Sequence, residues 1–225
     1  MWDTLLKKYV NDQGRVNYVA WKDEQSVLQN WLANIATLQV DDLAGAEEQL
    51  ALWINLYNAF TVATILEKYP IKSVLPKILG IPNWLSFLSF FQRQIYVYGG
   101  RNYSLADIEN KILREKLQEP RIHFAIVCAS IGCPNLRAGA YYPEKVRGQL
   151  EDDARRFINN PEKVKYDAAN NILYCSKIFK WYRQDFLKVA PSLPEYIRSY
   201  LNTDLPLMPS TPVKYLYYDW NLNGQ

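Results

Sequence analysis

The stretch Gln49–Leu66, QLALWINLYNAFTVATIL, decides the fold because it is long, apolar and free of formal charge. A membrane span needs about 20 predominantly apolar residues. This stretch, however, also holds Asn55, Asn58, Thr61 and Thr64. A helix at the centre of a soluble domain is apolar on all sides and satisfies a few polar groups internally. We therefore expect a buried central helix and no integral membrane segment.

The middle of the chain carries local signals for further elements. Residues 93–100, RQIYVYGG, alternate and end in two glycines, which predicts a strand and a turn. Ser104 is placed to cap a helix over residues 104–117, with Asp107 in the position of a capping-box acid. Residues 122–129, IHFAIVCA, are apolar and too few for a typical helix, so we expect a buried strand there.

The remaining pattern completes an α+β fold. Helices are predicted after Pro134 and over residues 151–158, 179–187 and 193–201, and strands over 163–167, 172–176 and 213–221. N-terminal helices should surround the central buried helix and be followed by a mostly antiparallel sheet with interspersed helices. Since no repeat and no Gly-, Ser- or Pro-rich linker divides the chain, we expect a single domain over residues 1–225.

The net charge argues against nucleic-acid binding, and the cysteine content indicates the cellular compartment. The 26 basic and 23 acidic residues give a net charge of +3, which is too small to indicate nucleic-acid binding through clustered charge. Three cysteines cannot all be paired within the chain, and an odd set favours a reducing compartment. We therefore expect a cytoplasmic protein, although a signal peptide removed earlier would leave no trace in this sequence.

The densest cluster of reactive residue types lies at positions 123–134. His123 is the chain's only histidine, so a mechanism that needs one must use it. In a regular strand His123 and Cys128 would face opposite sides, about 16 Å apart. Cys133 is the better partner, because Pro134 suits the first turn of a helix and a sulfur at a helix N-terminus has a lowered pKa.

These residues support one catalytic hypothesis and leave a structural alternative open. The hypothesis is a thiol-dependent hydrolase or acyl transferase that acts on a small molecule or peptide. Cys133 would be the nucleophile, with Cys128 as second choice, His123 the base, and Asn58 or Glu109 the group that orients the imidazole. The alternative is that the sulfurs are small packing groups and the imidazole a hydrogen-bonded core group. Paired C-x-x-C spacing is absent, so we expect no metal and no cofactor.

Other polar residues are candidates for substrate binding. Each of them lies within or next to an apolar stretch of the sequence. They are Asn55, Asn58, Ser130, Lys180 and Asp185. In SKIFKWYRQDF a helix beginning at Lys177 would put Lys177, Trp181 and Asp185 on one face at four-residue spacing. Such a face can bind an anionic substrate or tie a helix to a sheet, and ion pairs without catalysis favour the second interpretation. Glu109 and Arg114 on the predicted helix over 104–117 are equally compatible with a surface position.

A second function class rests on residues 75–91, LPKILGIPNWLSFLSFF. Prolines and Gly80 break any long helix here, yet the segment is rich in aromatic rings. One interpretation is a loop and a short helix packed on the core. The other is an apolar docking surface, since large exposed apolar patches are uncommon in monomers. In that case the protein would be a noncatalytic ligand- or protein-binding scaffold that meets its partner through Trp84 to Phe91.

Five phrases, in order along nearly the whole chain, resemble a known family. They are WINLYNAFTV, SLADIENKILR, PRIHFAIVCASIGCPNLR, SKIFKWYRQDF and YDWNLN. They are similar to domain-of-unknown-function family 547 of bacteria and plants. The resemblance implies that the polar and sulfur residues within the phrases line a shared site, without assigning them roles. The family pattern has a histidine after the glutamate of its I-E-H phrase, where this chain has Asn110.

Overall fold

The N-terminal helices pack around one long helix, in a computed structural model that describes residues 1–38, 45–202 and 207–225. The helices are α1 (Trp2–Tyr9), α2 (Tyr18–Asp23), α3 (Gln25–Ala36) and α4 (Ala46–Lys68). Helix α4 is long and apolar enough to cross a membrane, but 83% of its most apolar window is buried within the fold. It is the core helix that the uncharged stretch predicts.

Two hairpins flank a short aromatic helix in the middle of the chain. They are β1 (Lys77–Ile78) with β2 (Ile81–Pro82), and β3 (Tyr96–Tyr98) with β4 (Arg101–Tyr103), and α5 (Trp84–Gln92) lies between them. Both pairs are antiparallel. Gly99 and Gly100 have positive φ angles in the second turn, a conformation that glycine adopts without steric cost. The predicted strand and turn are thus confirmed.

A π-helix follows, over Asp107–Lys116. The backbone N–H of Asp107 donates to the hydroxyl of Ser104 at 2.9 Å, and the N–H of Ser104 donates to the Asp107 carboxylate at 3.0 Å. This reciprocal pair is the predicted capping box. Wide π-helical turns often occur at functional sites, and this one projects Glu109 and Asn110 towards the cavity described below.

The buried strand predicted over residues 122–129 is wrong. A 3₁₀ helix (Pro120–Phe124) occupies its first half, and an irregular segment follows. The side chain of Asn58 accepts from Val127 N–H at 3.0 Å and donates to Ala125 C=O at 3.0 Å. An amide of α4 therefore takes the place that a neighbouring strand would have. The apolar composition of residues 122–129 correctly predicts that most of them are buried. Burial alone, however, does not distinguish a strand from a 3₁₀ turn.

A small sheet and four helices form the rest of the described fold. They are α6 (Val146–Ile158), β5 (Val164–Asp167), β6 (Ile172–Cys175), α7 (Ile178–Trp181), α8 (Arg183–Leu187), α9 (Leu193–Arg198) and β7 (Val213–Tyr215). Strand β6 pairs antiparallel with β5 and parallel with β7. The helix predicted over 179–187 is split in two, and the last strand ends at residue 215 rather than 221. The α+β class is confirmed.

Two hydrophobic clusters divide the core. The first surrounds α4, and the second is built mainly from α6 to α9 and the sheet. The segment that follows Pro120 contributes to both, because Ile122 and Val127 lie in the first cluster whereas Phe124 and Cys133 lie in the second. The residues with the most reactive side chains are therefore placed at the junction of the two clusters.

Candidate active site

A cavity of about 440 Å³ opens at this junction. Its walls are mainly apolar, and its polar groups come from several parts of the chain, including α4, the π-helix, the segment after Pro120 and the C-terminal segment. The lining residues are Tyr57, Trp84, Phe87, Leu88, Phe91, Gln92, Ala106, Glu109, Asn110, His123, Ile126, Cys128, Cys133, Pro134, Ile178, Trp181, Tyr182, Tyr218 and Trp220. Apolar walls with a few convergent polar groups are typical of small-molecule sites.

Aromatic rings that pack against one another line part of the cavity. Helix α5 contributes Trp84 and Phe87, and Trp220 from the C-terminal segment packs against both. The rings of Phe87 and Trp220 are 4.8 Å apart and those of Trp84 and Trp220 are 6.1 Å apart, both in edge arrangements. Trp181 also packs against Trp220, with ring centroids 5.8 Å apart. Ring edges and faces of this kind suit an apolar or aromatic ligand.

The imidazole of His123 is hydrogen-bonded to the carboxylate of Asp185. Nε2 of His123 lies 2.9 Å from Oδ2 of Asp185, and the ring stacks on Tyr182 with centroids 3.8 Å apart. Nδ1 of His123 is buried and has no hydrogen-bond partner among the described residues. Burial lowers the pKa of His123, although the hydrogen bond to Asp185 opposes this effect. The imidazole is therefore neutral at pH 7.

Arg114 fixes Asp185 in turn. Its Nε donates to Oδ2 of Asp185 at 2.6 Å, and its guanidinium also donates to the side-chain oxygen of Asn110. Burial would raise the pKa of the Asp185 carboxyl, but hydrogen bonds from His123 and Arg114 together hold it below its ordinary value. Asn110, Arg114, Asp185 and His123 thus form one hydrogen-bonded chain from the π-helix to the imidazole.

The two cavity sulfurs form a disulfide, Cys128–Cys133. Cys133 is buried and its sulfur accepts from the N–H of Cys128 at 2.9 Å and from the hydroxyl of Tyr218 at 3.1 Å. Cys128 is half-buried, with the hydroxyl of Ser130 at 3.1 Å and that of Tyr218 at 3.4 Å. Cys175 lies outside this cavity as a buried free thiol.

The helix expected after Pro134 is wrong. Residues 134–137 are irregular, so Cys133 does not face the unpaired N–H groups of a helix N-terminus. The proline follows a turn in which Cys133 N–H donates to Ser130 C=O at 3.1 Å. Backbone hydrogen bonds from the N–H groups of Gly132 and Ile131 to the C-terminal segment, 2.7 and 2.8 Å long, hold this turn in place.

The structure assigns different surroundings to the residues predicted to orient the imidazole. Asp185, predicted as a substrate-binding residue, is the group bonded to His123. Asn58 is fully engaged with the backbone of residues 125 and 127. Glu109 lines the cavity and accepts from the hydroxyl of Tyr57 at 3.3 Å.

The other predicted substrate-binding residues divide in the same way. Asn55 clamps the backbone of Tyr141 through bonds of 2.8 and 3.0 Å, away from the cavity. Ser130 is buried beside the Cys128 sulfur. Lys180 is exposed, and its Nζ lies 5.7 Å from the ring centroid of Tyr215.

Several cavity residues were beyond the reach of sequence reasoning. Tyr182 stacks on the imidazole of His123, the hydroxyl of Tyr218 donates a hydrogen bond to the sulfur of Cys133, and Trp220 lines the cavity. Tyr182 directly follows Trp181 and so lies off the predicted face of Lys177, Trp181 and Asp185. Only the break between α7 and α8, at Tyr182, could have indicated that its ring contacts His123. Among the described residues, no group of three or more His, Cys, Asp or Glu side chains is arranged to hold a metal ion.

Comparison with known proteins gives a family and no activity. The profile of the family described as "Protein of unknown function, DUF547" matches residues 40–158, just over half of the chain. The chain belongs to this family. No curated protein and no solved structure matches the chain. The DUF547 match includes Glu109, His123 and both cavity cysteines, whereas Asp185 and Trp220 lie beyond it.

Proposed function

We propose that this DUF547 protein is a thiol-dependent hydrolase or acyl transferase in which Cys128, once reduced, is the nucleophile and His123 is the general base. One observation carries the proposal: Nδ1 of His123, which has no hydrogen-bond partner within the described part of the chain, is buried, and His123 lines the same cavity as Cys128. A nucleophile, a base and a group that orients the base are the parts that acyl transfer requires.

Asp185 sets the tautomer that the base needs. A carboxylate can only accept hydrogen bonds, so a neutral imidazole must carry its proton on Nε2, the nitrogen that faces Asp185. The lone pair is then on Nδ1. Since burial keeps the pKa of His123 low, this lone pair is free to accept a proton at pH 7.

Exposure favours Cys128 over Cys133 as the nucleophile. Cys133 is only 5% exposed and its sulfur already accepts two hydrogen bonds. Cys128 is half-buried at the cavity wall, and a nucleophile must be reached by a substrate. In this arrangement Cys133 is the partner that can take Cys128 out of use by forming a disulfide.

The reaction uses the parts in a fixed order. The proton of the Cys128 thiol moves to Nδ1 of His123, and the sulfur adds to the substrate's acyl carbon. The leaving group departs with that proton, which leaves a thioester on Cys128. Water or another acceptor, deprotonated by His123, then attacks the thioester and releases the acyl product, and the thiol is restored. The hydroxyls of Ser130 and Tyr218 beside the sulfur are donors for the developing oxyanion.

The test is covalent acylation of the reduced protein by a p-nitrophenyl ester, followed by intact-mass measurement and p-nitrophenol release. We expect an acyl adduct on Cys128 that disappears in Cys128→Ala and forms at least about 100-fold more slowly in His123→Asn. Cys175→Ser is the matched control and keeps the wild-type rate. Equal acylation of the wild type and Cys128→Ala contradicts the proposal.

The disulfide favours a second candidate, a thiol–disulfide oxidoreductase. A half-buried cysteine paired with a buried one fits an attacking and a resolving thiol. The variant Cys133→Ser separates the two functions. A hydrolase keeps its turnover in this variant and no longer responds to oxidants, whereas an oxidoreductase loses turnover, because the mixed disulfide with its substrate cannot be resolved.

The proposal also includes a cytoplasmic location and a small-molecule or peptide substrate. The hydrolase needs a free Cys128, which a reducing cytoplasm maintains. The aromatic walls and the few polar groups suit a small molecule or peptide with an apolar acyl or aromatic part.

A further inference from the structure

We infer that the surface formed by residues 78–88 docks on an anionic lipid bilayer. Six exposed apolar side chains form this surface, here named the apolar crest: Ile78, Leu79, Ile81, Trp84, Leu85 and Leu88. They follow one another over the β1–β2 hairpin and the first turns of α5. Apolar side chains exposed in one contiguous group usually mark an interaction site.

The crest projects from the fold. Leu79 is 98% exposed at the tip of the hairpin and Leu85 is 81% exposed on α5. The turn is tight, because Leu79 and Gly80 both have positive φ angles and join β1 directly to β2. A projecting apolar tip beside a helix with exposed apolar side chains is suited to insertion below lipid headgroups.

The charge around the crest favours a negative surface. Of the chain's 26 basic and 23 acidic residues, five basic and no acidic ones fall within positions 68–106. Lys68, Lys72, Arg93 and Arg101 are among the exposed residues of this stretch. The positive charge is therefore concentrated in the part of the sequence that contains the crest, although the whole chain carries only +3. Basic residues beside exposed apolar ones are attracted to anionic headgroups while the apolar side chains enter the acyl boundary.

A bilayer fits these features better than a protein partner does. A protein would need a concave apolar surface to receive the hairpin tip, and it would also need acidic groups around it. A fluid anionic bilayer offers both properties to any projecting shape. Trp84 adds a side chain with an apolar body and one N–H donor, which is favoured at the headgroup level.

Docking would bring the cavity to the lipid. Helix α5 carries Leu85 on its exposed side and Phe87 on its cavity side, and Trp84 and Leu88 belong to both the crest and the cavity lining. If the proposed acyl transfer is correct, the bilayer then supplies substrates with acyl chains; this last step rests on the proposed function, but the docking does not.

Vesicle flotation of the full-length protein tests the docking. We expect binding to phosphatidylcholine vesicles that contain phosphatidylserine, weaker binding to pure phosphatidylcholine, and loss of binding at high salt. The pair Leu79→Asn and Leu85→Gln should weaken partitioning about tenfold or more. Lys72→Gln and Arg93→Gln should each weaken it about fivefold. Asparagine at 79 also tolerates the positive φ of the turn.

Val19→Gln and Val189→Gln are the matched controls, because both valines are exposed apolar residues outside the crest. They should bind like the wild type. Absence of wild-type binding to anionic vesicles at low salt overturns the inference, as does equal loss in crest and control variants. If sedimentation instead shows self-association that the crest pair abolishes, without vesicle binding, the surface serves a second copy of the chain. Because Cys128→Ala should float like the wild type, failure of the proposed chemistry would not change these outcomes.

Discussion

Nε2 of His123 lies 2.9 Å from Oδ2 of Asp185 although 62 positions separate the two residues in the chain. His123 lies on the 3₁₀ helix within the DUF547 match, and Asp185 lies on α8 beyond it. The pair forms where the two hydrophobic clusters meet, so its geometry depends on the packing of one half of the chain against the other.

The first prediction concerns the orientation of the base. Asp185→Asn keeps the shape of the side chain but can offer an N–H where the carboxylate accepts, which stabilises the wrong tautomer of His123. We expect the ester-acylation rate to fall by about 10² to 10⁴ while the protein remains folded. Asp152→Asn, a change at an exposed carboxylate on α6, is the control and should leave the rate unchanged. A wild-type rate in Asp185→Asn would show that the pair has no role in catalysis.

The second prediction concerns pH and stability. Burial holds the pKa of His123 below the 6.5 that it has in the unfolded chain, so the unfolded chain takes up this proton first as the pH falls. Above pH 6.5 the protonation of His123 therefore does not lower the free energy of unfolding. As the pH decreases below this value, the free energy of unfolding falls by at most about 1.4 kcal/mol per pH unit. Urea denaturation between pH 7 and pH 5 should show a smaller loss for His123→Gln than for the wild type. Parallel curves for the two proteins would contradict the lowered pKa.

The third prediction concerns the state of the three thiols. After treatment with oxidised glutathione, the protein unfolded in urea should have one titratable thiol, that of Cys175. In the reduced native protein at pH 8, Cys128 should react with iodoacetamide and Cys175 should not, because burial raises the pKa of Cys175 to about 12. Mass spectrometry of the peptides distinguishes the sites. Three thiols after oxidation would show that Cys128 and Cys133 do not pair.

The fourth prediction separates two amide clamps on α4. Asn58→Ala leaves Ala125 C=O and Val127 N–H without their side-chain partner in the core. The free energy of unfolding should fall by about 2 to 3 kcal/mol, and acylation should slow because the segment between His123 and Cys128 is released. Asn55→Ala removes the equivalent clamp on Tyr141, so it should lower stability without slowing the reaction of the folded protein. Urea denaturation and acylation rates at low temperature measure both; equal slowing in the two variants would exclude a specific role for Asn58.

Local signals predicted the elements whose causes are local. The uncharged stretch predicted α4, two glycines predicted the β3–β4 turn, and Ser104 with Asp107 predicted the start of the π-helix. Each of these depends on residues within a few positions of one another. The α+β class could be predicted for the same reason, since it follows from the order of such elements.

The features that sequence patterns did not predict depend on contacts between residues far apart in the chain. Residues 122–129 have the composition of a buried strand, but Asn58, more than 60 positions away, binds their backbone instead of a neighbouring strand. The role of Asp185 depended on the break between α7 and α8, which no local spacing indicates. Cys128 was expected about 16 Å from His123 because a regular strand was assumed, whereas both residues line one cavity. The turn after Cys128 also brings Cys133 into bonding range.

The fifth prediction tests that turn through Gly132. A Cβ at this position would lie 2.8 Å from ring carbons of Tyr218 and 2.9 Å from the carbonyl oxygen of Asp219, closer than real contacts allow. Gly132→Ala must therefore displace Tyr218, whose hydroxyl bonds the Cys133 sulfur, and the free energy of unfolding should fall by about 1 to 3 kcal/mol. The control is Gly148→Ala on α6, where an added Cβ would have no atom of the described residues within 4 Å. This change should stabilise the helix by about 0.5 to 1 kcal/mol. Urea denaturation compares the two, and a neutral or stabilising effect of Gly132→Ala would mean that Tyr218 does not pack against this turn.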